Sequence, residues 1–373
     1  MKAMRWLLVG LISLLLVYGS LVRESQTAWA ALPAHAAQQL AKHPPTHVIP
    51  VYNEALPVTR GLPACLRRMI RPRCYSPQQI RRAYQIQPLL NAGITGKGQT
   101  IVIVDFFQSP SVRSDLRLFD QLFHLPEPQL TIYAPTGLTP FNRKSKTQKL
   151  AAIETSLDVE WAHAIAPGAA IALVLSRSEE YEDVYAATKF AIEQHLGSVL
   201  SQSFGQPEST LPIEFARQEH ELFEEARAQG MSVFASSGDR GTLSPIYGGM
   251  PRRVIAIGQG VEYPASDPLV TSVGGTSLFL DPGGSYAYES VWSNRSGAPG
   301  GGFSHIFARP DYQEGITGIG NTRSVPDVAY VGDPSTGVLV VTTILTGRPA
   351  TSLLEAPARA HRNGPPWPHS ATS

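Results

Sequence analysis

The sequence predicts an α/β fold built on a doubly wound, mostly parallel sheet with helices on both faces. Short apolar runs rich in β-branched residues recur along the chain, and amphipathic stretches separate them. Such runs are typical of strands covered on both faces, and strands that alternate with helices indicate parallel βαβ units. The chain has 373 residues, of which 43% are hydrophobic and 16% charged, so it can bury a large core.

The predicted elements follow one another in a regular order. A helix begins at Ser76-Pro77, because serine is a good N-cap and proline suits the first helical position. Two later helices end at Gly197 and Gly230. The predicted strands and these two helices occupy residues 100–104, 170–175, 179–196, 198–201, 213–229, 231–235 and 270–273.

Residues 1–30 are predicted to be an export signal. Lys2 and Arg5 precede an apolar run from Trp6 to Val22, and small residues at Ala28-Trp29-Ala30 offer a cleavage site. The alternative is an uncleaved membrane anchor, because the run reaches the lower limit of length for spanning a bilayer. In either case we expect the rest of the chain to be secreted or extracytoplasmic.

The net charge of the chain limits the kinds of partner that we expect. The net charge of +1 gives no reason to expect nucleic acid as a partner, and membrane contact would require an uncleaved N-terminal segment.

Cys65 and Cys74 are the two cysteines of the chain, and in an oxidising compartment such a close pair predicts a disulfide, with two free thiols as the alternative. Residues 31–75 are rich in Ala, Pro and Arg and are predicted to form a short pro-segment or linker.

Three carboxylates are the candidate site residues. Glu154 and Asp158 are four residues apart and so share one helix face, where like charges cost a few tenths of a kcal/mol. Asp239 follows a predicted strand, at the edge where doubly wound sheets bind ligands. Carboxylates in unequal environments can separate an acid from a base. The alternatives are a solvated helix face beside Glu160 and an aspartate that caps a turn.

Several motifs resemble those of one known protein family, and they occur along the chain in the same order as in that family. The segment from Glu154 to Ala162 resembles the catalytic helix of the sedolisins, or serine-carboxyl peptidases. The other matching segments are residues 95–105, 237–239, 263–268, 273–276, 300–304 and 326–329. The resemblance implies a subtilisin-like fold, with the peptidase domain at residues 76–341.

The resemblance also implies an endopeptidase that acts on protein or peptide substrates in acid, and we expect a monomer. Glu154 would be the general base for a serine, Asp158 would share its proton, and a protonated Asp239 would donate to the oxyanion. A carboxylate base and a protonated donor both favour low pH. Asp105 occupies the place of the subtilisin aspartate, but the sequence lacks the matching histidine helix, and His163 is interpreted as structural.

The serine nucleophile of the family is not identifiable. Its Gly-Thr-Ser signature should follow the hairpin that begins near residue 333, yet residues 342–373 form an aberrant Pro/Arg/Ala-rich tail without strand or helix period. Ser352 lacks the preceding glycine, and Ser277 belongs to an earlier strand, so we expect neither to be the nucleophile. The resemblance implies calcium as a cofactor, but its ligands lie beyond the signature and none can be assigned.

Two functions from different classes remain open. The first is a secreted acid endopeptidase whose C-terminal part is missing from this chain through truncation or a frameshift. The second is a non-catalytic pseudo-peptidase that acts as a binding or vestigial module. Loss of the serine costs orders of magnitude in rate, so we predict that the chain as written is inactive.

Overall fold

The computed structural model describes residues 49–55, 66, 73–248, 253–344 and 350–355. The predicted export signal, Cys65 and residues 356–373 lie outside the described residues. Within the described ranges, no helix has the length and apolar character that crossing a bilayer requires.

The helices of the described chain are α1 Pro77–Ala83, α2 Ile86–Asn91, α3 Val112–Phe123, α4 Lys146–Ile165, α5 Tyr181–Glu193 and α6 Ile213–Ala228. Short 3₁₀ turns cover Glu208–Thr210 and Asp311–Gln313. The strands are β1 Ile49–Ala55, β2 Arg73–Tyr75, β3 Thr100–Phe106, β4 Gln129–Tyr133, β5 Ala170–Ser176, β6 Val199–Gln202, β7 Gln206–Pro207, β8 Ser232–Ser236, β9 Leu243–Gly248, β10 Arg253–Gln259, β11 Glu262–Tyr263, β12 Val270–Leu280, β13 Tyr286–Val291, β14 Gly302–Ala308, β15 Thr322–Val325, β16 Val328–Val331, β17 Thr336–Thr342 and β18 Ala350–Glu355.

The central sheet confirms the predicted fold class. Its strand order is β13-β12-β8-β6-β3-β5-β4, and β16 also pairs with β12. Every pairing in this sheet is parallel except that of β12 with β13. The predicted strands all lie in it, with boundaries shifted by one or two residues at most ends, although β12 extends seven residues beyond the predicted segment.

Strand β3 shows why its sequence is continuously apolar. Val102 and Val104 pack into the core cluster that contains α5 and α6, on one face of the sheet. Ile103 packs into the cluster formed with α3 and α4, on the other face. Since successive side chains of a strand point to opposite faces, both faces of β3 are buried. The helices therefore cover the sheet on both sides, as the sequence predicts.

The predicted start of the first helix is also confirmed. The Ser76 hydroxyl accepts a hydrogen bond from the Gln79 backbone N–H at 3.3 Å. The Gln79 side chain accepts one from the Ser76 N–H at 2.9 Å, which completes a capping box. Pro77 occupies the first helical position, where its missing N–H carries no penalty.

A second sheet differs from the sequence-based expectation. Its order is β1-β18-β17-β2, and it takes β1 and β2 from the predicted linker and β18 from the predicted tail. The sequence predicts a pro-segment or linker at residues 31–75 and a tail without strand or helix period at residues 342–373. Backbone pairing with β17 explains the difference: β18 pairs antiparallel and β2 parallel with this strand, whose Leu339, Val340 and Val341 are fully buried.

Candidate active site

The three candidate carboxylates line one cavity of about 590 Å³. Helix α4 brings Glu154 and Asp158 to its wall, and Asp239 comes from the turn after β8. The other walls include Ser203, which follows β6, and Gly275 of β12. The cavity thus lies at the carboxyl ends of parallel strands, where ligands bind in sheets of this type.

Helix α4 is buried rather than solvated. The Glu160 side chain is fully buried, and its Oε2 accepts a hydrogen bond from the Val341 N–H at 2.9 Å. The Trp161 indole N–H donates to the Leu339 carbonyl at 2.9 Å. These contacts fix α4 against β17. Glu160 is therefore not part of a solvated helix face, and Glu154 and Asp158 are half-buried.

His163 lies on the same helix and is fully buried. Its Nε2 lies 2.9 Å from the Pro126 carbonyl oxygen and 3.5 Å from Asp120 Oδ1. Burial lowers the pKa of His163, so the neutral ring is favoured. These contacts agree with the structural role that the sequence predicts for this histidine.

Asp158 has an environment that favours its protonated form. Burial raises the pKa of Asp158 to about 6, and the Ser203 hydroxyl opposes that shift by favouring the carboxylate. Asp105, at the end of β3, is only 2% exposed. Burial and the charge of Asp158 raise its pKa well above the ordinary value, whereas the Thr155 hydroxyl lowers it. Two neighbouring carboxyl groups in this setting favour holding a proton between them.

This position of Asp105 beside Asp158 is not predicted by the sequence, in which the residue occupies the place of the subtilisin aspartate. The structure instead places Asp105 next to Asp158, across the contact between β3 and α4. Its position in the sequence could have indicated a place in the site, since a carboxylate at the carboxyl end of a central parallel strand faces the edge of the sheet where ligands bind.

Asp239 also favours the protonated form. Loss of water around the carboxyl raises the pKa of Asp239 to about 6, and the neighbouring Arg240 opposes the shift. Glu262 lies behind the same turn, where burial first and then the charge of Asp239 raise its pKa to about 7, against the effect of Arg240. A protonated Asp239 can donate a hydrogen bond into the cavity, as an oxyanion donor must.

Gly238 shapes the turn before this aspartate. Its φ of 101° lies in the left-handed region that favours glycine. A Cβ atom at this position would also lie 2.6 Å from the carboxyl carbon of Glu262. The positive φ favours glycine, whereas the Glu262 carboxyl could shift to make room for a Cβ atom. The glycine conformation sets the backbone from which the Asp239 side chain extends.

Ser277 is held in a hydrogen-bond network. Its hydroxyl donates to Asp333 Oδ2 at 2.6 Å. Asp333 Oδ1 accepts from the Asn294 side chain at 2.9 Å and from the Ser335 N–H at 2.8 Å. The hydrogen bond from the Ser277 hydroxyl to Asp333 agrees with the prediction that Ser277 is structural. Ser352 lies in β18, and its side chain is outside the described residues.

The remaining predictions concern the disulfide and calcium. Cys74 is disulfide-bonded, and its predicted partner Cys65 lies outside the described residues. Members of the sedolisin family bind calcium, but the described residues contain no group of three or more His, Cys, Asp or Glu side chains that fits a metal ion. We therefore assign no residue and no chemical step to calcium.

Comparison with known proteins gives three informative similarities, although no protein-family model matches the sequence. Over 307 residues the chain is 32% identical to kumamolisin from Bacillus sp. (strain MN-32), a match that covers 78% of this chain and 52% of kumamolisin. Over 157 residues it is 31% identical to sedolisin from Pseudomonas sp. (strain 101), covering 40% of this chain and 26% of that protein. The chain therefore spans about half or less of the length of these relatives.

The fold is similar to that of Pseudomonas sedolisin, a serine-carboxyl proteinase, solved with two molecules of pseudo-iodotyrostatin. The TM-score is 0.61 at 24% sequence identity, over 72% of this chain and 73% of that chain. The similarity agrees with the subtilisin-like arrangement of a mostly parallel sheet with helices on both faces.

Proposed function

Because the chain belongs to the sedolisin family of serine-carboxyl peptidases, we propose that its cavity is the proton-handling part of an endopeptidase site for protein substrates in acid. The observation that carries this proposal is the meeting of Glu154, Asp158 and Asp239 in one cavity. The raised pKa values of Asp158 and Asp239 support the same conclusion.

The roles follow from the direction in which protons must move. Glu154 accepts the proton of a serine hydroxyl as its oxygen attacks the peptide carbonyl, and it later gives that proton to the leaving amine. Asp158 shares the proton of Glu154 and orients it, as the third member of a triad does. Asp239 donates to the oxyanion of the tetrahedral intermediate, a contribution of about 3 kcal/mol for one such donor.

The proposed pH range follows from the donor. Asp239 acts only while it holds its proton, and its pKa is about 6. Two pH units below that value the protonated form exceeds the ionised form by roughly 100 to 1. The donor is therefore fully available in acid and is lost as the pH rises through 6.

We further propose that the chain is exported and that, as written, it has little or no peptidase activity, because no hydroxyl nucleophile is assigned. The test is hydrolysis of a casein-like protein at about pH 4, with the chain as written beside a version whose C-terminal reading frame is restored. We expect activity in the restored version alone, and its loss in Glu154→Gln and Asp239→Asn variants. Activity in the chain as written that survives both substitutions would refute the site assignment.

A further inference from the structure

The segment of residues 297–300 lies directly against the turn that carries Asp239. The Ala298 N–H donates to the carbonyl of Asp239 at 3.1 Å, and the Gly241 N–H donates to the carbonyl of Ala298 at 2.9 Å. The Gly300 N–H donates to the carbonyl of Gly238 at 2.7 Å. Three backbone hydrogen bonds therefore join this segment to residues 238–241.

The two backbones approach more closely than side chains would allow. A Cβ atom at Gly300 would overlap the carbonyl oxygen of Ser237. A Cβ atom at Gly297 would lie 2.6 Å from the carbonyl oxygen of Asp239, closer than real side chains come. At the neighbouring Gly301, by contrast, the nearest atom would be 3.5 Å away, which is ordinary van der Waals contact. Among the three glycines of residues 297–301, the close approach to the turn therefore requires glycine at positions 297 and 300 but not at 301.

The segment is itself anchored to the rest of the fold. The Asn294 side chain donates to Asp333 Oδ1 at 2.9 Å, and its Oδ1 accepts from the Trp292 indole N–H at 3.2 Å. The Asn294 backbone N–H donates to the Gly297 carbonyl at 3.0 Å. Trp292 is 1% exposed, so one partner of Asn294 is buried, although Asn294 itself is exposed. These hydrogen bonds tie the start of the segment to Asp333, just before β17, and to the buried Trp292.

The carboxyl group of Glu262 also lies against this turn, next to Gly238. The turn that carries Asp239 is therefore contacted both by residues 297–300 and by Glu262. An oxyanion donor contributes only when it is held at hydrogen-bonding distance from the place where the negative charge develops. Displacement of about 1 Å is enough to remove most of such an effect.

We propose that residues 297–300 are the positioning element of the oxyanion donor and hold the Asp239 carboxyl in the wall of the cavity. This inference rests on the proposed function of Asp239. It gives residues 297–300 a role that acts through Asp239 rather than on the substrate itself.

The test compares Gly300→Ala with the matched control Gly301→Ala, both in the full chain. Aspartate carboxyl carbons are labelled with ¹³C, the signal of Asp239 is identified by its loss in Asp239→Asn, and its pH titration is followed by NMR. In Gly300→Ala the turn must move, so the Asp239 carboxyl leaves its poorly hydrated site. We expect the pKa of Asp239 to fall by about one pH unit, which is a roughly tenfold loss of proton affinity. Gly301→Ala should titrate as the unaltered chain does.

Thermal unfolding establishes that each variant is folded. If Gly300→Ala does not fold, Gly297→Ala introduces a milder clash with the same turn and is expected to shift the titration in the same direction. Hydrogen exchange in the unaltered chain gives a further measurement: slow exchange of the Ala298 and Gly300 amides supports the proposal, and rapid exchange overturns it.

An unchanged Asp239 titration in a folded Gly300→Ala or Gly297→Ala variant would overturn the proposal, and so would an equal shift in Gly301→Ala. None of these measurements requires catalysis. An inactive chain therefore leaves this inference standing, whereas peptidase activity that survives Asp239→Asn contradicts the proposed function itself.

Discussion

Glu219 provides a pH-dependent stability that can be measured. This residue of α6 is 3% exposed, and burial, followed by the charge of Asp267, raises its pKa to about 8 against the effect of the Tyr263 hydroxyl. Asp267 is fully buried and lies 2.8 Å from Nδ1 of His220. In the unfolded chain the pKa of a glutamate is about 4.3. The folded state therefore keeps a proton that the unfolded state releases in weak acid.

The sign and the magnitude follow from that difference. Between the unfolded and the folded pKa the native state binds more protons, so the free energy of unfolding falls as the pH rises. Each pH unit in this window costs about 1.4 kcal/mol. From pH 4.5 to pH 7 the loss is about 3 kcal/mol, a large part of the 5–15 kcal/mol that stabilises a typical domain. Below pH 4 the contribution of Glu219 is fully present.

The perturbation is Glu219→Gln, which removes the titration and keeps a polar side chain of the same shape. Urea unfolding is measured from pH 4 to pH 8, with Glu221→Gln as the control because Glu221 is an exposed residue of the same helix. We expect the stability of Glu219→Gln relative to the unaltered chain to rise by about 3 kcal/mol between pH 4.5 and pH 7, and the control to follow the unaltered chain. Parallel pH profiles for Glu219→Gln and the unaltered chain would refute the reasoning.

Three further predictions concern the site and its support. Glu160→Ala should lower the free energy of unfolding by about 1–3 kcal/mol in urea, because the Val341 N–H loses its acceptor inside the protein; an unchanged midpoint contradicts this. Ser203→Ala should raise the pKa of Asp158 above its value of about 6, since the hydroxyl favours the carboxylate; a carboxyl NMR titration that moves down or not at all argues against the contact. Gly238→Ala should destabilise the fold by about 1–3 kcal/mol in thermal unfolding, because its φ of 101° strains a residue with a side chain and the Glu262 carboxyl would also have to move; a variant as stable as the unaltered chain counts against that constraint.

The sequence alone predicted the parts of the fold that depend on local pattern. Strand β3 was recognisable because burial on both faces leaves a continuous apolar run, and α1 because Ser76 and Pro77 form a recognisable helix start. The site carboxylates were found because their motifs occur in a recognised order. The roles of these carboxylates remain predictions until activity is measured.

Contacts between distant segments could not be predicted from local sequence patterns. The position of Asp105 beside Asp158 depends on how β3 packs against α4, which no local spacing encodes. The burial of Glu160 depends on Val341, which is 181 residues away in the chain. Strands β1 and β18 were missed for the same reason, because they exist through pairing and not through a periodic side-chain pattern.

The sheet formed by β1, β18, β17 and β2 has a consequence for the order of folding. Tyr52 pairs with Leu353, so this contact closes a loop of about 300 residues. Loop-closure entropy of the form (3/2)RT ln n amounts to about 5 kcal/mol for a loop of that length. The β1–β18 pairing is therefore expected to form last, after the central sheet has already brought the two ends together. During synthesis β1 is made early, but it can pair with β18 only after residues 350–355 have been added to the chain.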